Sequence, residues 1–282
     1  MSPALATAVL LAGALAAAAL GAWAWRRRAG RSRPRRRRRT PRYPVVLAHG
    51  LFGFDAIRVG RARHEYFRGI AARLEREGWV VHRCRVSRMA SVSVRATELA
   101  AFVRALPVKR VNLVAHSMGG IDARFALSRL ELGKKVVSLT TIGTPHRGTP
   151  LADAGGALAR RARLWQVLRR MGVDLDALHD LTTAQMAAFN RAVPDARGVD
   201  YASVVGHPPA RGNVSPILLP SWLWLREAAG GNDGVVPAGS QAWGQVVRTI
   251  DADHFAQIGW SRRFDAAELY AELLRELWAR GY

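Results

Sequence analysis

The sequence predicts an α/β fold, a mostly parallel sheet with helices on both faces, formed as one domain over residues 43–282. Three observations carry that expectation. From residue 44 onward, short apolar runs alternate with stretches of helical period. One of those runs, Val45-Val46-Leu47-Ala48, is apolar at every position, and others are largely apolar, the pattern of strands covered on both faces. Hydrophobic residues make up 49% of the chain, which excludes disorder throughout because there is ample material for a core.

Pro44-Val45-Val46-Leu47-Ala48 is the first apolar run, and His49-Gly50 ends it as a turn ends a buried strand. Glu65 to Glu77 reads as a helix, with Phe67, Ile70, Ala71 and Leu74 on one face and Gly78 as its stop. Trp79 to Val86 is a strand, Val94 to Leu106 a helix, and Val111 to Ala115, apolar but for Asn112, a second buried strand. Ile121 to Leu132 is helical, and Val136 to Ile142 returns as a strand. Tyr201–Val205 and Val246–Ile250 supply later strands, with no internal repeat and no second domain boundary.

Residues 150–200 break the rhythm. Leu158, Ala162, Leu164, Trp165, Leu168 and Met171 recur at helical spacing, while Arg160, Arg161, Arg163, Arg169 and Arg170 fill the other side. A helical lid over the active face has this pattern, with Leu164, Trp165 and Leu168 turned to substrate. A surface helix packed on the core has it too, and the sequence leaves both open.

The charge is concentrated at one end. Of 43 Lys+Arg against 21 Asp+Glu, for a net +22, eleven Arg and no acid fall in residues 1–42, leaving residues 43–282 at +11. Ala4 to Trp25 is 22 residues without a charge, about 33 Å as a helix and enough to span a bilayer. Residues 1–25 therefore read as a transmembrane signal-anchor and 26–42 as an Arg-rich juxtamembrane linker. Charge placed after the apolar run predicts that residues 43–282 face the cytoplasm, in a single-pass inner-membrane protein. Secretion after cleavage at Ala17-Ala18-Ala19 or Ala22-Trp23-Ala24 is the alternative. No aromatic residue interleaves Arg26 to Arg39, so the run lacks a base-stacking platform. It fits an anionic membrane surface, and no nucleic acid is expected.

Ala115-His116-Ser117-Met118-Gly119-Gly120 falls at a strand-to-helix junction, where small residues on both sides let a nucleophile occupy a tight turn. A serine capping a helix N-terminus is the plainer reading of that stretch alone. Two further pieces favour chemistry. His49-Gly50-Leu51-Phe52-Gly53 follows the first strand, so the backbone N–H groups of Leu51 and Met118 can meet on a developing oxyanion. Asp233 and His254 then complete the order nucleophile, acid, histidine, each after a successive strand. Asp200, Asp251 and Asp253 compete for the acid role. Neighbours in a loop point apart, which favours Asp233 over the two that sit beside His254. His49 and His116 are expected to shape their turns and His146 to line the cleft.

Together PVVLAHGLFGFD (44–55), VNLVAHSMGG (111–120), TIGTPHRGTPLAD (141–153), LTTAQMAAFN (181–190) and NDGVVP (232–237) resemble the bacterial triacylglycerol lipases of the Pseudomonas and Burkholderia type. The resemblance implies an α/β-hydrolase fold and hydrolysis of acyl esters of lipids, with Ser117, Asp233 and His254 as triad and Leu51 and Met118 at the oxyanion hole. Two departures stand out. The family's calcium-binding aspartate two residues after the catalytic histidine is Ala256 here, so no metal and no cofactor is expected. A lone cysteine, Cys84, cannot form the family's disulfide. Secreted members depend on a foldase, and the sequence leaves that dependence open for this chain. The same triad also serves a thioesterase or acyltransferase, and the intact set argues against a non-catalytic Arg-rich scaffold.

Overall fold

The computed structural model describes residues 43–51, 56–59, 62–161 and 176–282; of 56–59, 62–64 and 156–161 it describes the backbone. The expected transmembrane segment, the Arg26–Arg39 run and the lid residues Leu164, Trp165 and Leu168 lie outside the described residues. Among the described residues, no helix is long and apolar enough to cross a membrane.

The chain enters through β1 (Val45–Ala48) and an antiparallel pair, β2 (Ala56–Val59) with β3 (Ala62–Glu65). It continues through α1 (Ile70–Arg76), β4 (Val81–Cys84), α2 (Val92–Ala105), β5 (Val111–His116), α3 (Met118–Arg129) and β6 (Val136–Ile142). Then come α4 (Pro150–Arg161), α5 (Asp176–Asp180), α6 (Thr183–Ala192) and β7 (Asp200–Gly206). The chain finishes with α7 (Leu219–Ala229), α8 (Ala238–Gln241), β8 (Gln245–Ile250) and α9 (Ala266–Ala279). Six strands form one sheet in the order β4-β1-β5-β6-β7-β8, and every pairing in it is parallel.

Alternation along β1 explains the continuous apolar run. Val45 and Leu47 face a cluster with Ile70 and Leu74 of α1 and Leu269 and Leu273 of α9. Val46 and Ala48 face the opposite cluster, with Leu99 and Val103 of α2 and Leu127 of α3. Both faces of the strand are covered, so neither tolerates a polar side chain.

Boundaries differ from the sequence expectation in two places that matter. The helix expected from Glu65 begins at Ile70 instead. Gly69 precedes it in the left-handed region, with φ of 72°, and Glu65 belongs to β3. The helix expected from Ile121 begins at Met118, directly after Ser117. Its first turn is therefore brought up against the end of β5.

Candidate active site

Ser117 sits between β5 and α3 with φ of 56° and ψ of −135°, a conformation that costs a non-glycine residue free energy. Three hydrogen bonds hold it there. Its N–H donates to the Ile142 carbonyl at 2.9 Å, and its carbonyl accepts from Gly120 N–H at 3.0 Å and Thr144 Oγ1 at 2.8 Å. The turn lifts the side chain from the sheet at the carboxyl edge of β5, where open α/β sheets bind ligands.

His254 and Asp233 reach the same edge from loops after β8 and α7. His254 Nε2 lies 3.0 Å from Ser117 Oγ, and His254 Nδ1 lies 2.8 Å from Asp233 Oδ2. A carboxylate only accepts, so Nδ1 carries the proton and Nε2 is free to receive the serine hydroxyl. All three residues are buried. Asp233 Oδ1 accepts from the N–H groups of Val235 at 2.9 Å and Val236 at 2.7 Å, and Oδ2 accepts also from Gln257 Nε2 at 3.0 Å. A backbone bond from His254 N–H to the Asp233 carbonyl, 2.8 Å, ties the two loops together.

The competing acids are elsewhere engaged. Asp253 is buried, but its carboxylate accepts from the N–H groups of Ser215, Phe255 and Ala256. Asp200 pairs with Arg280, and Asp251 is exposed. Ala256 is buried in the core, and among the described residues no group of three or more His, Cys, Asp or Glu is arranged to hold a metal. The side chains around His254 do not fit a calcium ion.

The loop that carries Leu51 is pressed against Ser117. A Cβ on Gly50 would lie 2.6 Å from Ser117 Cβ and 3.0 Å from its Oγ, so only glycine fits. Leu51 follows, partly buried against the cluster that contains Met118. Met118 opens α3, where backbone N–H groups lack intrahelical acceptors and the helix dipole favours negative charge. Arg95, fully buried on α2, fixes the loop from behind. It donates to the His49 carbonyl at 2.9 Å and pairs with Asp122 of α3 at 2.8 Å. Burial outweighs that guanidinium and pushes the Asp122 carboxyl up to about 7. Sequence reasoning missed Arg95 and Gln257, because a buried cation and a buried amide carry no periodic or motif signal.

His49 and His116 do shape their turns. His49 Nε2 accepts from Val86 N–H at 3.3 Å, and His116 Nδ1 lies 2.7 Å from the Tyr66 hydroxyl, which accepts from Gly50 N–H. The His116 ring centre is 4.5 Å from that of His254. Burial, and then the charge of His254, hold His116 well below the usual imidazole range. A neutral His116 does not repel an imidazolium forming on His254. His146 departs from expectation. It lines no cleft but is wholly buried, stacked on Trp243 with ring centres 5.4 Å apart and bonded to Thr141 Oγ1 at 3.0 Å. A strand end that turns inward placed it between Trp243, Thr141 and Arg124.

The chain is similar in sequence to proteins named as lipases. A family model described as a PGAP1-like alpha/beta domain matches residues 101–191. The chain is 36% identical to a triacylglycerol lipase of Vibrio cholerae, over 73% of this chain and 76% of that one. It is 30% identical to a triacylglycerol lipase of Pseudomonas fragi, over 84% of this chain and 96% of that one. The solved Bacillus licheniformis lipase BlEst2 in mature form superposes with a TM-score of 0.66 at 24% identity, covering 83% of this chain and 92% of that one. That likeness extends the agreement to the fold. With identity at this level across three quarters or more of two lipases, the chain belongs to the bacterial triacylglycerol lipase family of α/β hydrolases and is a carboxylester hydrolase.

Proposed function

We propose that the protein is a membrane-anchored serine lipase that hydrolyses acyl esters of lipids through Ser117, His254 and Asp233 and an acyl-enzyme. The observation that carries this reading is the continuous bond path from Ser117 Oγ through His254 to Asp233, at 3.0 and 2.8 Å. His254 takes the Ser117 proton as Oγ attacks the ester carbonyl, and the tetrahedral oxyanion is met by the N–H groups of Leu51 and Met118. The proton on Nε2 then passes to the leaving alcohol. Water, deprotonated by the same imidazole, attacks the acyl-enzyme, and the collapse returns the fatty acid and free Ser117. Asp233 holds the tautomer and stabilises the imidazolium throughout.

The test is a comparison of substrates by the full chain. Hydrolysis of p-nitrophenyl esters, rising with acyl length in emulsion, is the expected result. Cleavage of acyl-CoA alone would replace the lipase by a thioesterase.

The anchor rests on 22 uncharged residues followed at once by the Arg26–Arg39 cluster. In this reading the catalytic domain faces the cytoplasm and the cluster meets anionic lipid. A carboxyl-terminal alkaline phosphatase fusion is then inactive; an active fusion reverses the topology. Residues 150–200 act as a lid, with Leu164, Trp165 and Leu168 covering the acyl site. Trp165→Ala then lowers the ratio of activity on emulsified to soluble esters, and an unchanged ratio removes the lid role.

A further inference from the structure

Two buried polar atoms beside the triad have no hydrogen bond of their own, His116 Nε2 and Gln257 Oε1. In each side chain the other polar atom is engaged, His116 Nδ1 with the Tyr66 hydroxyl and Gln257 Nε2 with Asp233. Buried polar atoms are seldom left unpaired, and here the two are a ring nitrogen and an amide oxygen, which can satisfy one another.

The engaged atoms fix who donates. Asp233 only accepts, so the Gln257 atom 3.0 Å from its Oδ2 is the amide nitrogen, which leaves Oε1 as an acceptor on the other side of the amide. Burial first, and then the charge of His254, keep the His116 ring neutral. The Gln257 side chain, and after it the His254 backbone, act the other way and draw a proton to that ring. A neutral imidazole donates from one nitrogen and accepts at the other. A proton drawn towards Gln257 sits on Nε2, so Nδ1 accepts from the Tyr66 hydroxyl at 2.7 Å. That hydroxyl in turn accepts from Gly50 N–H at 3.1 Å.

We propose that Tyr66 and His116 are positioning residues: through Gln257 they join the Gly50 turn to the Asp233 carboxylate by one directed hydrogen-bond relay. The bonds run from Gly50 N–H to Tyr66, from Tyr66 O–H to His116 Nδ1, from His116 Nε2–H to Gln257 Oε1, and from the Gln257 amide to Asp233. Both ends of the relay return to the nucleophile. Gly50 is pressed against Ser117, and Asp233 reaches it through His254. The loop beside Ser117 and the acid behind His254 are thereby held together. The relay rests on the serine-hydrolase reading and touches no substrate. It requires opposite tautomers in two rings whose centres are 4.5 Å apart, with the proton on Nδ1 in His254 and on Nε2 in His116.

The chain has eight histidines, few enough for each ring to be followed. Full-length protein labelled with nitrogen-15 histidine, in detergent at neutral pH, is read by proton–nitrogen correlation NMR. The His116 signal is assigned by its loss in His116→Phe or, should that variant not fold, by its shift in Tyr66→Phe. The expected result is a neutral His116 protonated on Nε2. A proton on Nδ1, or on both nitrogens, overturns the relay. Kinetics on a soluble short-chain ester supply the second arm. His116→Phe is expected to lower kcat about three- to tenfold with KM near its parent value. In the Gln257→Leu background the same change is expected to lower kcat by less than about twofold, because the relay is already broken. Losses that multiply, or a change confined to KM, overturn the relay. Tyr201→Phe is the control, and kcat stays at the parent value: its hydroxyl accepts from Ala196 N–H at 2.9 Å and packs with the cluster on the other side of the sheet. A parent inactive on esters overturns the lipase reading and the relay's role with it, whereas an active parent with His116 protonated on Nδ1 overturns the relay alone.

Discussion

Gln257 donates its side-chain N–H to Asp233 Oδ2 at 3.0 Å, the same oxygen that accepts from His254. The amide is fully buried, and the ends of β6 and β7 make room for it. A Cβ on Gly143 would come within 2.2 Å of Gln257 Oε1, and one on Gly206 within 2.0 Å of its Nε2. Gln257 therefore fixes which oxygen faces His254 without touching substrate.

Gln257→Leu removes that donor and leaves the carboxylate less fixed. A hydrogen bond to a charged group contributes roughly 1.5–3 kcal/mol, so kcat is expected to fall on the order of ten- to a hundredfold. KM for a soluble ester stays near its parent value, because no binding contact is lost. Steady-state kinetics on p-nitrophenyl butyrate check the split, and Gln257→Asn tests whether a shorter amide recovers part of the loss.

Gly50→Ala forces a methyl group into contact with Ser117 Cβ and Oγ. The loop or the nucleophile must move, and displacement by about 1 Å costs catalysis on the order of 100-fold. Circular dichroism is expected to show an intact fold while hydrolysis collapses. Unchanged activity would mean that the Leu51 loop takes no part in oxyanion binding.

Arg95→Met removes a buried cation and leaves Asp122 without its partner. Breaking one side of a buried pair costs roughly 3–5 kcal/mol, so a clear drop in the urea midpoint is expected. The surviving protein also loses activity, since the His49 carbonyl is no longer held. Arg95→Met with Asp122→Leu relieves the stranded acid and recovers stability more than activity.

Burial holds His146 and His116 well below the ordinary imidazole value of 6.5. Below that value the unfolded chain binds protons that the folded chain refuses, so stability is lost as pH falls through it and regained as pH rises. Denaturation midpoints between pH 7 and pH 5 are expected to fall, and His146→Gln to fall less over the same interval.

What the sequence made legible follows from local chemistry. β1, β5 and β6 were readable because a strand covered on both faces is largely apolar; the buried Asn112 and Ser138 that interrupt β5 and β6 satisfy one another by a hydrogen bond. That Ser117 and His254 come together was legible because a tight turn between strand and helix needs small neighbours, and because the order of the three residues follows the strands. Arg95 was hidden, since an arginine on a helix reads as surface until its partners on β1's loop and α3 are known. Gln257 was hidden for the same reason, its partner lying 24 residues away on another loop. His146 was misread because a strand end does not reveal which way the chain turns. Gly69 displaced a helix start that periodicity alone extended to Glu65.

The central claim is that Ser117 is the nucleophile activated by His254. A fluorophosphonate probe followed by peptide mass mapping tests it most directly. The expected result is one adduct on the peptide holding Ser117, abolished in Ser117→Ala and strongly slowed in His254→Ala. An adduct on another residue, or labelling that survives Ser117→Ala, would contradict the account.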